Sequence, residues 1–319
     1  MTCPIANSQR YLMLSNETEA WGSLDGTPTY YHMPVFSYTV KNRPRPRQAN
    51  PFIGTLQRKH NRLVMANPVG QIHTALYGYT PTGLSNSLAE EMLNWAFAES
   101  ETVCRASKTA EWSVIGDTDN RRHLGLRVDT AVLKGSEDQP FIDLTLGVEG
   151  NSEASDGTAE TLPTDLNHLV EFEWGNTLFY IGTASNDLAL MPIRAFALQR
   201  QWGLQAHFMN STSPTYLAAT QNDTNLTIVP LKTGTTYDGY IRSLGSPYLY
   251  GRLIVKGRKM DTDSSSTLVV AQLDFPAISL VNKNDSDDSP QGVTFETLNW
   301  ACLKPDSSSN SVTITMSEA

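Results

Sequence analysis

The chain has 319 residues, 39% of them apolar, and a formal net charge of −9, which gives length enough for two domains with cores of their own. No window of 18 or more apolar residues occurs, so no membrane-spanning helix is expected, and the first residues lack a basic segment followed by an apolar one, so no secretory signal is expected either. Cys3, Cys104 and Cys302, odd in number and without CxxC spacing, read as free thiols rather than a disulfide framework or a zinc site.

Taken from the N-terminus, the first strand candidate is PVFSYTV at 34–40. The stretch NRPRPRQANPFIGTLQRKHNR at 42–62 follows. From Gly26 to Ala89 there is no Asp or Glu against seven Lys or Arg, whereas from Gly135 to Ile193 there is no Lys or Arg against eleven acids. Blocks of one sign repel themselves and seek the other. Each proline in the Arg-Pro run fixes φ and disfavours helix before it, so the run reads as a stiff charged loop projecting between strands. Next, SNSLAEEMLNWAFAES predicts a helix at 87–98. Ser87 and Glu90 make a capping box, and Leu88, Met92, Trp95 and Ala96 share one face at helical spacing.

Period-2 alternation then predicts strands in HLGLRVDTAVL (123–133), FIDLTLGVEG (141–150), LVEFEW, TLFYIG, AFALQRQW, NLTIVPL, YGRLIVKG, STLVVAQLDF and SVTITM. The small polar and acidic stretch EGNSEASDGTAETLPTD at 149–165 reads as a linker near mid-chain. A weaker helix is predicted at 236–245. The halves resemble each other: DTDNRRHLGLRVDTAVL from Asp117 parallels DTDSSSTLVVAQLDFPAISL from Asp261, which sets Leu124 and Leu126 against Leu268 and Val270. The order strand, helix, strand, DTD, last strand also recurs, so a duplication is expected.

No GxGxxG, Walker loop, GxSxG elbow or HExxH is present, and the six histidines are scattered without metal spacing, so neither enzymatic activity nor a cofactor is expected. DSDDSPQGVTFE at 285–296 imitates a calcium loop through Asp285, Asp287 and Glu296, but Pro290 stands where the sharp turn requires glycine. Arginines with Tyr38 and Phe52 nearby could hold single-stranded nucleic acid; a rigid charged projection equally suits insertion into a protein partner, and a solvated loop is the plain alternative.

The basic segment VKNRPRPRQANPFIGTLQRKHNRLVMANPVGQIHTALYG leading into the helix SLAEEMLNWAFA, together with the ending STLVVAQLDFPAISLVNKNDSDDSPQGVTFETLNWACLKPDSSSNSVTITM, resembles the tail tube protein (major tail protein) of long-tailed bacteriophages over nearly the whole chain. The resemblance implies a mainly β protein of two tandem tube-type β-sandwich or barrel domains, 1–157 and 158–319, each with a flanking α-helix. It further implies a structural subunit whose rings stack head-to-tail into a conduit for genome delivery. Rings would be homotrimers of pseudo-six-fold symmetry, or hexamers. Implied partners are further copies of the chain, the tape-measure, tail terminator and distal tail proteins, and double-stranded DNA passing without specific binding. No membrane insertion is implied, and the location would be the virion tail after assembly in the bacterial cytoplasm. Arg43, Arg45, Arg47, Arg58, Lys59 and Arg62 are then expected to meet acids of an adjacent ring, drawn from the 137–173 block. A capsid or decoration protein and a β-sandwich carbohydrate-active or carbohydrate-binding protein are the alternatives.

Overall fold

Alternating apolar and polar runs form strands, and the computed structural model is mainly β and antiparallel. It describes residues 10–17, 21–23, 29–47, 62–80, 84, 86–98, 107–114, 120–156, 169–209, 211–232, 235–242, 248–259, 269–286, 295–306 and 310–318. The first half gives β1 (Arg10–Asn16), β2 (Tyr31–Met33), β3 (Ser37–Tyr38), β4 (Lys41–Arg47), β5 (Arg62–Ala75), β6 (Tyr77–Gly78), α1 (Leu88–Phe97), β7 (Lys108–Val114), β8 (Asn120–Ser136), β9 (Asp143–Glu149) and β10 (Ser152–Asp156). The second gives β11 (Val170–Gly182), β12 (Leu188–Met191), β13 (Ile193–Gln201), β14 (Leu204–His207), β15 (Tyr216–Ala219) and β16 (Asp223–Pro230). After these come a helical turn α2 (Thr235–Tyr237) continued by a π turn at Asp238–Arg242, then β17 (Leu249–Lys259), β18 (Val269–Ser286), β19 (Phe295–Leu303) and β20 (Thr313–Glu318).

The strand pairing repeats. In the first half the order β2·β1·β7·β8·β10 makes one layer; in the second, β12·β11·β17·β18·β20 makes its counterpart. The order β4·β5·β9·β8 likewise returns as β13·β16·β19·β18. β8 and β18 are long enough, at 17 and 18 residues, to serve two layers each. Both change register twice, at matching points. Against its hairpin partner β8 goes from Leu126 to His123, and β18 from Ile278 to Phe275. Against the next strand the slips fall between Val128 and Thr130, and between Leu280 and Asn282. Such bulges bend a strand, which is what lets one strand leave a layer for the next. A cross-strand ion pair sits at the same place in each repeat with its signs exchanged: Arg122–Glu111 at 2.8 Å and Arg252–Asp274 at 2.6 Å.

These registers correct the sequence alignment of the halves. Leu126 corresponds to Ile278 and Val128 to Leu280, not to residues near Val270. A period-2 pattern looks the same after any even slip, so alternation alone could not fix the offset. Part of the expected linker is strand: β10 pairs with the start of β8. The weak helix is a helical turn continued by a π turn as far as Arg242, and its expected residues 243–245 lie outside the described residues.

α1 forms as expected. The Ser87 hydroxyl accepts from Glu90 N at 3.2 Å, an N-cap bond, and Leu88, Met92, Leu93, Trp95, Ala96 and Phe97 are buried where the helix meets β6, β8 and β20. Its C-terminus is held by the buried Arg200 of β13, whose Nη1 donates to Phe97 O at 2.6 Å; a cation suits a helix C-terminus.

The halves share one sheet. The second part of β8 pairs with β13 from Thr130↔Gln201 to Ser136↔Ala195. A continuous order β4·β5·β9·β8·β13·β16·β19·β18 results.

Candidate functional site

Strand alternation gives that shared sheet two different faces. One carries Ile72, Leu144, Leu146, Leu133, Leu198, Ile228, Leu298 and Trp300, all buried. The other carries Gln71, Thr145, Val132, Gln199, Thr227, Asn299 and Asn282, which are exposed or half-buried. This second face is uncharged along much of its width and knitted by side chains: Thr227 Oγ1 donates to Asn299 Oδ1 at 2.8 Å, and Asn299 Nδ2 to Asn282 Oδ1 at 2.5 Å. Its charges partly cancel, since the buried Asp143 carboxylate lies 3.4 Å from Lys134 Nζ and 3.6 Å from His73 Nε2. The face offers many weak hydrogen-bonding groups and little net field.

The expected contact residues that are described lie at one margin of this sheet. The Arg-Pro run is not a loop; Arg43, Arg45 and Arg47 are on β4, with Arg43 exposed. Arg62 opens β5 and pairs opposite Arg47. Arg58 and Lys59 lie outside the described residues. A strand with prolines at alternate positions is tolerated at a sheet edge, where the missing N–H would face outward. Pairing of β5 with β9 begins at Val69, so beyond it β4 and β5 form a two-stranded basic ribbon. Within the acidic block, Glu137, Asp143, Glu149 and Glu153 are already engaged by Arg194, Lys134, Asn67 and Arg121. Asp138 is exposed and Glu171 half-buried; burial, then the neighbouring Glu173, raises the Glu171 carboxyl above its ordinary pKa.

The far margin carries both signs, with Lys283 and Asp285 on β18 and Glu296 on β19. Asp285 pairs opposite Glu296 across β18 and β19, so these residues of the calcium-loop imitation belong to a hairpin, while Asp287 and Pro290 lie outside the described residues. Among the described residues no group of three or more His, Cys, Asp or Glu is placed to hold a metal. Glu296 is fully buried, neither carboxylate oxygen has a hydrogen-bond partner among the described residues, and Lys283 Nζ stands 3.9 Å off. Sequence reading named Glu296 only as a loop acid; nothing in the strand pattern marked it as buried.

A titratable cluster braces the basic margin. Tyr38 stacks on Trp112 at 5.4 Å, and its hydroxyl shares a hydrogen bond with His123 Nδ1 at 2.6 Å. Burial holds the Tyr38 hydroxyl well above its usual pKa, and burial likewise pushes His123 down to about 4. The folded chain thus binds the His123 proton less tightly than the unfolded chain. Stability therefore falls as pH drops from about 6.5 to about 4, by at most about 3 kcal/mol, and is not affected by this group above that window. Urea midpoints at pH 7 and pH 4.5 should show that loss in the native chain and a smaller one in His123→Gln. Equal losses in both would rule His123 out as the source.

Compared with known proteins, the sequence matches no family model and no curated protein.

Proposed function

We propose that the chain is the structural subunit of the tail tube of a long-tailed bacteriophage. In this reading residues 1–157 and 158–319 act as tandem tube-type β domains, each with its helix. Subunits form closed rings, three per ring with pseudo-six-fold symmetry or six, and rings stack head-to-tail into a conduit. The observation that carries the reading is the shared sheet: among the described residues it has a broad polar face, exposed or half-buried, bounded on one side by a basic margin. Duplex DNA carries one charge per about 1.7 Å of axis, so a lumen that lets it pass needs weak, unspecific contacts and no basic stripe. The Gln, Asn and Thr face meets that need. The duplicated strand order suits a ring in which each chain fills two equivalent places.

Arg45, Arg47, Arg58, Lys59 and Arg62, with Arg43, would reach acids of the next ring drawn from the 137–173 block, with the exposed Asp138 and half-buried Glu171 as candidates among the described residues. Tape-measure, terminator and distal tail proteins would meet the tube lumen and its ends, in the virion tail after assembly in the host cytoplasm. The role needs no catalysis and no cofactor. Negative-stain microscopy of the purified chain tests it: hollow tubes with a dark central channel are expected. Closed shells, or monomers at all concentrations, would overturn it.

A further inference from the structure

The junction between the two repeats is made by one pairing, β8 with β13. Each repeat owns one strand of each kind. β18 is the counterpart of β8, and the segment from β3 into β4 is the counterpart of β13. Tyr38 lies opposite Ile72 and Lys41 opposite Val69, as Phe196 lies opposite Ile228 and Gln199 opposite Asn225. Ser286 lies opposite Phe295 and Lys283 opposite Leu298, as Lys134 lies opposite Asp143 and Ala131 opposite Leu146. In the single chain the β18 edge from Asn282 to Ser286 and the edge from Ser37 to Arg43 have no strand partner among the described residues. They are the two ends of the shared sheet.

We infer that a second copy of this chain adds its Ser37–Arg43 edge to the Asn282–Ser286 edge, repeating between chains the register that joins the repeats within one. The inference deepens the ring of the tube reading, and its partner follows from the internal junction. That junction supplies the register: Leu198 faces Leu133, so Val40 of the second copy faces Asp285; Arg200 faces Ala131, so Asn42 faces Lys283; Gln199 faces Val132, so Lys41 faces Asn284. The bonds Glu137 N to Arg194 O at 3.1 Å and Trp202 N to Asp129 O at 2.8 Å bracket the template, and by alternation the hydrogen-bonded pairs fall at 196, 198 and 200. The corresponding outward amides are those of Tyr38, Val40 and Asn42.

Three features fit this partner. The next outward position is Pro44, which has no N–H where its counterpart Trp202 donates to Asp129 O, so the added strand ends one bond short of the template. The Asn42 amide is held in the single chain by Glu153 Oε2 at 3.1 Å, a side-chain bond that a neighbouring carbonyl can replace. By that register Lys41 and Arg43 fall opposite Asn284 and Asn282, so no like charge stands directly across from them on their own face. The contact joins two different surfaces, so it propagates and closes only as a ring.

The test is a cysteine pair at a non-hydrogen-bonded position, where side chains stand closest. Full-length Lys41→Cys/Asn284→Cys is oxidised mildly, run on a non-reducing gel, and imaged. Lys41→Cys/Asp285→Cys, with the second thiol turned to the opposite face, is the control. Covalent dimers and higher closed species at least tenfold above the control support the inference, whether or not tubes form; their presence without tubes overturns the tube reading alone. Tubes without in-register linkage overturn the inference and leave the tube reading standing. Monomers without linkage overturn both. Asp285→Pro, which removes an outward amide from an edge strand, should give a folded chain by circular dichroism that no longer associates laterally; normal association would overturn the inference independently.

Discussion

Lys108→Met is expected to destabilise the chain by about 3–5 kcal/mol, the largest effect of any single substitution proposed for the folded subunit. Lys108 opens β7 and is 1% exposed. Its ammonium donates to Glu91 Oε1 of α1 at 2.5 Å and to Asn16 Oδ1 of β1, and lies 5.6 Å from the centre of the Trp95 ring. Burial pulls the Lys108 pKa down and Glu91 pulls it back up; burial likewise raises Glu91, but Lys108 and the bonds from Lys108, Asn86 and Asn16 bring it to a net value below the ordinary one. Each charge is tolerable only because the other is there. Removing Lys108 strands the mostly buried Glu91 carboxylate, 15% exposed, at up to roughly the cost given for breaking a buried pair. Replacing both, as Lys108→Met/Glu91→Leu, removes the stranded charge and should recover most of the loss. Urea unfolding of the two singles and the double closes the cycle. A Lys108→Met loss under about 1 kcal/mol, or a double variant no better than the single, would mean the pair does not fasten α1 to the sheet.

That pair was not legible in the sequence, and the reason is general. The α1 pattern placed Leu88, Met92, Trp95 and Ala96 inward because apolar residues announce a face, whereas Glu91 and Lys108 are polar letters whose burial depends on each other across the fold. Strands at 123–133, 141–150 and 225–231 were readable from alternation. The Arg-Pro run was not: its composition says loop, and only the partner strand β5 makes it β4. The repeat was readable as an order of elements but not as a register, since alternation is blind to even slips, and the bulges at Val128/Thr130 and Leu280/Asn282 that fix it leave no mark in the sequence. The open edges, on which the candidate surface depends, are properties of pairing and have no sequence signature at all.

Arg43→Glu/Arg45→Glu/Arg47→Glu is expected to leave a folded, soluble subunit that forms no tubes. The residues are on an edge strand, and Arg43 is exposed, so reversing them should not disturb the core. Exposed ion pairs contribute only about 0–1 kcal/mol each, but in the proposed tube the same contacts would recur around every ring, and reversal would turn each attraction into repulsion while the prolines keep the ribbon from bending away. Native tubes should form less readily as salt rises, because screening shortens from about 10 Å at 0.1 M to about 3 Å at 1 M. Pro44 divides the ribbon physically: residues up to Arg43 can add to a neighbouring sheet edge, and those beyond it cannot donate regularly and would, in the proposed tube, be left to reach along it. Arg45→Glu/Arg47→Glu alone should therefore still give lateral oligomers by sedimentation but no stacked tubes by microscopy, whereas adding Arg43→Glu should weaken the lateral oligomers as well. A nucleic-acid role for the run gives a different outcome, intact tubes with lost DNA or RNA binding, and normal assembly of the triple variant would leave a solvated basic edge as the better account.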